Sequence, residues 1–315
     1  MLSTLPSEST SMSTIDEKRV YGESGGALDA YVGSSMGLVH VRVSDSAVGE
    51  FSLCHRRETR DLAAGPGSIS IATDEDVLVA DPTDPDSFAE TEFGPATAVS
   101  YDGETLLAAG PDGRVARRDG DDGRDADDWE TLADSLEADV RAMDGDLLGT
   151  ERGVYRVHDG ALDHAGLSDV HDVSAAGVPL AATESGLYKL GNGWMEIRSD
   201  PTETVATDPA SEPGHLERAH AVSSGAVYEY AAGGDEAGEW VRDEELAIAG
   251  GSDDSGGPAA SSDPIVGFGY GETVYAVSSD GTVFAADGDG WRPHVLGVTG
   301  VTGIAVPATG SPDGA

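Results

Sequence analysis

Two histidines in the stretch VHDGALDH are close enough in sequence to suggest a metal site, because imidazole is a common zinc ligand. Asp159 and Gly160 are suited to a two-residue hairpin turn. That turn would pair His158 with Ala161. His164 would then pair with Tyr155. Because side chains alternate along a strand with a period of two, the side chains of His158 and His164 would lie on opposite faces of the sheet. We therefore predict that the two histidines do not share a metal ion.

The acidic stretch DGDDGRDADDWE, residues 119–130, has the alternating carboxylates and final glutamate of a calcium-binding loop. An EF-hand loop needs an oxygen ligand at its fifth position and glycine at its sixth. Here those positions are Gly123 and Arg124. The stretch is therefore predicted to be a solvated acidic loop between strands, and no metal site is assigned to it.

The single cysteine, Cys54, precedes His55, a pairing that could generate a thiolate nucleophile. The alternative is that Cys54 serves as a small apolar side chain in an outer strand, as lone cysteines commonly do. A phosphate-binding glycine loop and an H-E-x-x-H motif are missing from the sequence. We therefore predict no catalytic residue, no cofactor and no metal.

Arg56, Arg57 and Arg60 place three basic residues within five positions of a chain that has few. Guanidinium groups bind carboxylates and phosphates through paired hydrogen bonds. These arginines are therefore the candidate contacts for a protein partner. The alternative is that they balance acidic charge within the protein's own surface. A second and looser group of basic residues contains Arg117, Arg118 and Arg124.

The overall composition indicates adaptation to high salt. Of the 315 residues, 59 are acidic and 18 are basic, which gives a formal net charge of −41. Self-repulsion at such a charge is screened over about 10 Å at 0.1 M salt but over about 3 Å at 1 M. The acidic residues are spread along the whole chain, and only Lys18 and Lys189 are lysines. This pattern favours a halophilic archaeal protein.

The same composition limits partners and location. The sequence has no basic stripe that could neutralise phosphates, which argues against nucleic acid and anionic membranes as partners. Residues 1–14 form a polar leader, predicted to be disordered, without the basic and apolar regions of an export signal, and Met12 is an alternative start. No run approaches the roughly 18–20 apolar residues of a membrane span. We expect a cytoplasmic, monomeric protein.

A turn that recurs about every 40 residues supplies the elements that position these side chains, and this period is typical of β-propeller blades. The turns end at Gly37, Gly113, Gly153, Gly186, Gly225 and Gly281. A degenerate copy without glycine, TDED, ends at Asp76. The last interval is longer because it contains GGSDDSGGPAASSD, predicted to be a flexible acidic insertion at about residues 249–263.

Short apolar runs flank each turn and indicate strands, as PLAAT and LYKL do around Gly186. An earlier strand, such as VHDVSAAG, and a later outer strand complete a four-stranded unit. The first unit lacks its innermost strand, whereas VTGIAVP, Val301 to Pro307, is left over. The C-terminal strand is therefore predicted to close the ring by joining the N-terminal blade. Seven blades are expected, with six or eight as alternatives.

Bulky side chains recur at the predicted start of each outer strand. They are Trp129, Trp194, Trp240, Trp291, Phe51, Phe88 and Leu162. An aromatic side chain at this position would fill the space between adjacent sheets and bury about 150–250 Å². These residues are therefore predicted to belong to the core rather than to a binding site.

The motif T-x-x-G-[LV]-Y-[RK]-[LV], seen in GTERGVYRVHDG and ATESGLYKLGNGW, resembles the repeats of sialidase-like and photosystem-assembly-type propellers. Together with the acidic composition, residues 15–308 resemble a family of haloarchaeal β-propeller proteins. The resemblance implies an all-β propeller fold, in agreement with the single seven-bladed β-propeller expected from the repeat. Residues 309–315 are predicted to be a disordered tail. The sialidase Asp-box survives only as LGNGW and DGDGW, which argues against sialidase activity. Propellers host many functions, so the fold implies no particular chemistry.

Two functions remain open at this stage. The first is a non-catalytic cytoplasmic scaffold that holds a protein partner against one rim of the ring. The second is a hydrolase or lyase acting on a small or carbohydrate-like substrate in the central channel. Arg141, His171 and Asp172 are polar residues of predicted innermost strands. Carboxylates that converge in the channel with perturbed pKa values would favour the enzyme, and an apolar channel would favour the scaffold.

Overall fold

The computed structural model describes residues 28–44, 47–119, 129–231, 238–249, 263–287 and 290–308. These residues form seven four-stranded antiparallel sheets and one short helix. The predicted leader, the predicted C-terminal tail and most of the predicted acidic insertion lie outside the described residues.

Each sheet is a blade, and its four strands lie side by side in order from the ring axis to the periphery. The innermost strands are β4 (Asp61–Gly65), β8 (Ala98–Asp102), β12 (Val140–Asp144), β16 (Val170–Ser174), β20 (Thr202–Thr207), β24 (Ile265–Tyr270) and β28 (Val301–Ala305). The second strands are β1 (Leu28–Ser34), β5 (Ser68–Ala72), β9 (Thr105–Ala109), β13 (Leu147–Thr150), β17 (Leu180–Thr183), β21 (Ala219–Ser223) and β25 (Val274–Ser278).

The third and fourth strands complete the blades. The third strands are β2 (Gly37–Ser44), β6 (Val77–Ala80), β10 (Val115–Arg118), β14 (Gly153–His158), β18 (Gly186–Leu190), β22 (Ala226–Ala231) and β26 (Thr282–Asp287). The outer strands are β3 (Ala47–His55), β7 (Ala89–Glu90), β11 (Glu130–Ala133), β15 (Ala161–Gly166), β19 (Trp194–Arg198), β23 (Glu239–Arg242) and β27 (Gly290–Val295).

The first blade combines the two ends of the described chain. Its order is β28-β1-β2-β3, and Val32 of β1 lies opposite Ile304 of β28. Around the axis, β28 contacts both β24 of blade 7 and β4 of blade 2, so the innermost strands form a closed ring. The structure therefore confirms the predicted all-β, seven-bladed propeller and its closure by the C-terminal strand.

Antiparallel order sorts the loops onto two faces of the ring. The turn between the second and third strands of each blade, such as Ser34 to Gly37, lies on the same face as the connector to the next blade, such as residues 56–60. We call this the connector face. The remaining turns lie on the opposite face. The candidate arginines Arg56, Arg57 and Arg60 therefore belong to the connector face.

The repeated turn is closed by a buried hydroxyl. Thr183 Oγ1 donates to the Gly186 carbonyl at 2.8 Å and accepts from the Ser185 amide at 3.1 Å. Gly186 has a φ of 145°, and a Cβ there would lie 2.1 Å from the Arg198 carbonyl oxygen. The glycine is therefore required because the outer strand passes directly over it.

Asp76 takes the place of the turn glycine in blade 2 and has a structural role of its own. Its Oδ1 accepts hydrogen bonds of 2.9 Å from the amides of Val77 and Gly94. Its Oδ2 accepts from the amides of Thr91 and Glu92 at 2.9 and 2.8 Å. The buried carboxylate thus organises the connector to blade 3. The sequence interpretation of this residue as a degenerate glycine missed that role.

Tryptophans bridge neighbouring blades at the periphery, as predicted. Trp194 Nε1 of blade 5 donates to the Ala165 carbonyl of blade 4 at 2.9 Å. Trp129 of blade 3 donates to the Thr91 carbonyl at 3.0 Å and packs on Phe93. Each of these two indole rings therefore combines apolar contact with a hydrogen bond across a blade junction.

Phe51 does not fit the predicted pattern. It is the fifth residue of the nine-residue β3, and its side chain is 44% exposed. Two register shifts between β2 and β3 interrupt the alternation that the repeat predicts. Leu53, rather than Phe51, packs against the core between blades 7 and 1. The prediction that Phe51 is a core residue was therefore wrong.

The sequence interpretation also missed the helix α1 (Glu244–Ala249), which follows blade 6. Asp243 caps it by accepting hydrogen bonds from the amides of Glu245 and Leu246 at 2.9 and 2.8 Å. Leu246 is buried in the core between blades 6 and 7. Within the described ranges, no helix is long and apolar enough to cross a membrane.

Candidate functional site

The innermost strands surround a cavity of about 460 Å³ on the ring axis. Three carboxylates line it: Asp61 of β4, Asp144 of β12 and Asp172 of β16. Its other lining residues include Tyr101, Met143, Phe268, Tyr270 and Ile304. The cavity is therefore neither apolar nor uniformly charged, and its carboxylates are the groups that could do chemistry.

Two of these carboxylates occupy equivalent positions and make equivalent hydrogen bonds. Asp61 accepts from its neighbouring amide, that of Leu62, at 2.8 Å and from the Val99 amide of blade 3 at 2.9 Å. Asp172 accepts from its neighbouring amide and from the Val205 amide of blade 6, each at 2.9 Å. In both residues the two oxygens are engaged by different backbone groups, one of which belongs to the next blade.

Asp144 makes a related contact, since its Oδ2 accepts from the Ala175 amide of blade 5 at 2.7 Å. Burial raises the pKa of Asp61 and of Asp172 to about 7, against the opposing effect of these backbone hydrogen bonds. Burial also raises the pKa of Asp144. The negative charges of Asp144 and Asp172 further raise the pKa of Asp61, so the three groups influence one another across the channel.

A second set of side chains joins the blades near the carboxylates: Arg60 and His171 directly precede Asp61 and Asp172, and Arg141 lies three positions before Asp144. Arg60 and Arg141 each place Nη1 3.4 Å from a carbonyl oxygen of the next blade, that of Ala96 and of Val170 respectively. His171 Nδ1 donates to the equivalent carbonyl of Thr202 at 3.0 Å. Bulges in β12 and β16 fall at Arg141 and His171, and they direct these side chains toward the adjacent blade.

This arrangement separates the three residues expected near the channel. Asp172 lines it, whereas Arg141 and His171 contact neighbouring blades and lie outside its lining. Sequence reasoning missed Asp61 and Asp144. A signal for Asp61 was present, because RDLAAG and HDVSAAG repeat a basic residue followed by aspartate at the start of an innermost strand.

The junction between blades 6 and 7 uses a buried histidine and tyrosine. Tyr270 donates its hydroxyl to the Ala206 carbonyl at 2.8 Å and accepts from His220 Nδ1 at 3.0 Å. The His220 ring stacks on Phe268 at 5.0 Å. Burial lowers the pKa of His220 to about 4, so the imidazole is neutral at neutral pH.

The three candidate partner contacts share the connector from blade 1 to blade 2 but differ in their surroundings. Arg57 forms an ion pair with Glu75. Arg60 is half-buried and reaches the Ala96 carbonyl. Arg56 is exposed, and no acidic side chain of the described ranges pairs with it. In the looser group, Arg117 pairs with Glu130 near the opposite face, and Arg124 lies outside the described residues.

The register of β14 and β15 agrees with the predicted hairpin. Tyr155 pairs with His164, and His158 pairs with Ala161. His164 Nε2 lies 3.0 Å from the Arg152 carbonyl oxygen, and His158 Nε2 lies 3.4 Å from Asp159. In the part of the chain that the structure describes, no group of three His, Cys, Asp or Glu side chains could hold a metal ion.

Cys54 has the surroundings of a structural thiol. Its Sγ donates to the Leu38 carbonyl at 3.3 Å, and burial raises its pKa to about 11. Burial lowers the pKa of His55, and the Arg57 charge adds to this effect. At neutral pH the thiol is therefore protonated and the imidazole neutral, the opposite of an activated thiolate–imidazolium pair.

Solved structures share this fold at low sequence identity. The WD40 β-propeller domain of Doa1 is 15% identical, with a TM-score of 0.56 and coverage of 89% of this chain and 90% of that chain. YCF48 bound to the D1 peptide is 13% identical, with a TM-score of 0.51 and coverages of 75% and 82%. YCF48 from Cyanidioschyzon merolae is 11% identical, with a TM-score of 0.50 and coverages of 76% and 85%.

A sequence family accounts for nearly the whole chain. No curated protein shows significant sequence similarity to it. The family model described as HVO_0234-like beta propeller matches residues 14–307, which include all 28 strands. The chain therefore belongs to the HVO_0234-like β-propeller family.

Proposed function

We propose that the protein is a non-catalytic scaffold that binds a protein partner on the connector face of the ring. The observation that carries this proposal is the exposed Arg56, which lacks an acidic partner among the described residues. Every other exposed arginine of the described ranges has one. These paired arginines are Arg42, Arg141, Arg152, Arg156, Arg242 and Arg292.

A guanidinium without a carboxylate partner among the described residues is available to an external carboxylate. The net charge of −41 supplies many internal carboxylates, yet none of those described satisfies Arg56. A bidentate contact with a partner's carboxylate would satisfy it and would add orientation as well as affinity. Arg57 and Arg60, on the same connector, would contribute at the edge of that contact.

The channel carboxylates are weak evidence for an enzyme active site. Convergent carboxylates with raised pKa values are found at many active sites. Here Asp61 and Asp172 each use both oxygens to bind backbone amides, one of them in the next blade. Burial between packed blades accounts for their pKa values, so a role in joining the blades explains the geometry without a substrate.

The similar propellers support a protein partner as a class. YCF48, which shares the fold, has been solved with the D1 peptide bound. We extend to this chain only the use of a propeller as a rigid support for a polypeptide ligand. The acidic composition supports a cytoplasmic protein of a halophilic archaeon, and no cofactor or metal is part of the proposal.

Affinity purification of the tagged protein from its host, with washes at about 2 M KCl, tests this function. The triple variant Arg56→Ala/Arg57→Ala/Arg60→Ala should lose a stoichiometric partner that the wild type retains. The matched control Arg117→Ala/Arg118→Ala/Arg156→Ala should retain it. A protein that is purified without any partner, and whose channel variants alter turnover of a small substrate, would contradict the scaffold proposal.

A further inference from the structure

Blade 1 interrupts the acidic surface of the connector face. In every other blade, an acidic residue lies either in the repeated turn or in the connector that leads into the innermost strand of that blade. These residues include Asp74, Asp112, Glu151, Glu184, Asp200 and Asp280, for blades 2 to 7 respectively. The turn of blade 1 is Ser34 to Gly37, and the preceding connector, residues 296–300, reads LGVTG. Neither segment contains a charged residue.

Hydrogen bonds hold these two uncharged segments together. The Ser35 amide donates to the Gly300 carbonyl at 2.9 Å, and Ser35 Oγ donates to the Thr299 carbonyl at 2.7 Å. Gly297, Thr299 and Gly300 are exposed. The uncharged surface is therefore a fixed feature of the junction between blades 7 and 1.

An exposed methionine lies in the turn that forms part of this surface. Met36 is 49% exposed and is one of five large hydrophobic side chains exposed within the described ranges. The other four, Phe51, Met195, Val241 and Val295, lie on the outer strands of blades. Met36 is therefore the member of this set that lies in a turn of the connector face.

The backbone of Arg56 lies beside Gly37, the residue after Met36. A Cβ placed on Gly37 would lie 3.1 Å from the Cα of Arg56. On the same connector, Arg57 is paired with Glu75, and Glu58 is exposed. The turn Ser34 to Gly37, residues 296–300 and Arg56 together form what we call the blade-1 window.

We propose that the blade-1 window binds an acidic segment of a partner protein, with one apolar side chain of that segment on Met36 and a carboxylate on Arg56. This inference rests on the proposed scaffold function and names the surface and the chemistry of the partner. Charge complementarity selects an acidic occupant here, because no acidic side chain of the described residues pairs with Arg56 and the window contains no acidic residue. On the other blades the same segment would place its carboxylates in direct contact with acidic turn residues, which disfavours binding there.

High salt limits which interactions can contribute to this contact. At about 1 M salt, charges are screened beyond roughly 3 Å, so an attraction must act through direct contact. The guanidinium of Arg56 supplies such a contact, and burial of Met36 against an apolar side chain does not depend on charge. Met36 and an arginine that no described acidic side chain pairs with therefore suit recognition in the salt range that the composition indicates.

A labelled acidic peptide with one central phenylalanine, DEDEFDEDE, is a direct probe of the window. Fluorescence anisotropy at about 2 M KCl should show saturable binding to the full-length protein. The variants Arg56→Glu and Met36→Glu should each weaken binding by about tenfold or more. Met195→Glu is the matched control, because Met195 is also 49% exposed but lies on an outer strand. Equal affinity for wild type and both window variants, or preference for the basic peptide KRKRFKRKR, would overturn the proposal.

Site-specific photo-crosslinking in the host separates this inference from the scaffold function. A benzophenone amino acid at position 36 should crosslink a partner, and the crosslinked peptide should be acidic with an apolar residue at the attachment point. The same group at position 195 should give about tenfold less product. A stoichiometric partner that crosslinks at 195 but not at 36 would defeat the window and leave the scaffold intact. Purification without any partner would defeat both.

Discussion

Asp172 Oδ2 of blade 5 accepts a 2.9 Å hydrogen bond from the Val205 amide of blade 6. Asp61 makes the same contact with the Val99 amide of blade 3. These amides lie on innermost strands, where the ring axis offers them no further strand to pair with. Carboxylates that cross the junction satisfy such amides and hold adjacent blades in register. This relationship gives the acidic groups of the channel a structural role.

Removing one of these carboxylates should destabilise the ring. Asp172→Ala leaves two backbone amides without their acceptor, which should lower the free energy of unfolding by about 2–3 kcal/mol. Denaturant-induced unfolding at about 2 M KCl measures this change. Asp163→Ala, at an exposed position on β15, is the control and should have little effect. Equal effects of the two substitutions would refute the structural role of Asp172.

The stability of the protein should fall as pH rises through neutrality. The pKa of Asp61 and of Asp172 is raised from 3.8 to about 7 by burial, so folding takes up protons between these values. Their stabilising contribution is complete below about pH 4 and is lost as pH rises through about 7. The melting temperature should therefore decrease from pH 5 to pH 8 by less in Asp61→Asn/Asp172→Asn than in the wild type.

The variant comparison is necessary because the other carboxylates also repel one another more strongly at higher pH. That background should be nearly the same in both proteins, since they differ at two positions of 315. Identical pH profiles of the melting temperature would show that the channel carboxylates titrate near their ordinary pKa.

Two aromatic residues from the same predicted position should differ in importance. Trp194→Ala removes an inter-blade contact and the hydrogen bond to Ala165, and it should cost about 3 kcal/mol. Phe51→Ala removes a side chain that is 44% exposed and should cost well under about 1 kcal/mol. Thermal unfolding of both variants provides the comparison. A larger loss for Phe51→Ala would mean that the core assignment is wrong.

Restoring the repeat glycine in blade 2 should be harmful. Asp76→Gly deprives four backbone amides of their acceptor and should cost about 2–4 kcal/mol, although it recreates the turn sequence of other blades. Asp74→Gly, two residues earlier and exposed, is the matched control. Unfolding free energies of the two variants decide the matter, and a stabilised Asp76→Gly protein would contradict the assigned role.

Sequence periodicity predicted the blades because each turn glycine is enforced locally. A side chain at Gly186 would collide with the passing Arg198 backbone, so the repeat must preserve glycine or rebuild the turn as Asp76 does. The leftover strand at Val301 likewise indicated ring closure, which β28 provides. Local constraints of this kind can be recognised in a single sequence.

Contacts between blades are harder to predict from the sequence. Asp61 and Val99 are 38 positions apart, and nothing in either local sequence specifies the partner. Register shifts in β3 moved Phe51 out of the core, and such shifts cannot be deduced from alternation alone. The sequence predicts ring closure but not the contacts of Ser35 with Thr299 and Gly300 that closure creates, so the blade-1 window was identified from the structure.

The most direct test of the scaffold proposal compares two variants in one purification from the host at about 2 M KCl. Arg56→Glu changes the connector face, and Asp61→Asn/Asp172→Asn changes the channel. We expect Arg56→Glu to lose the partner and the channel variant to retain it. Loss of the partner or ligand from the channel variant alone, with Arg56→Glu unaffected, would contradict the proposal and place the function in the channel.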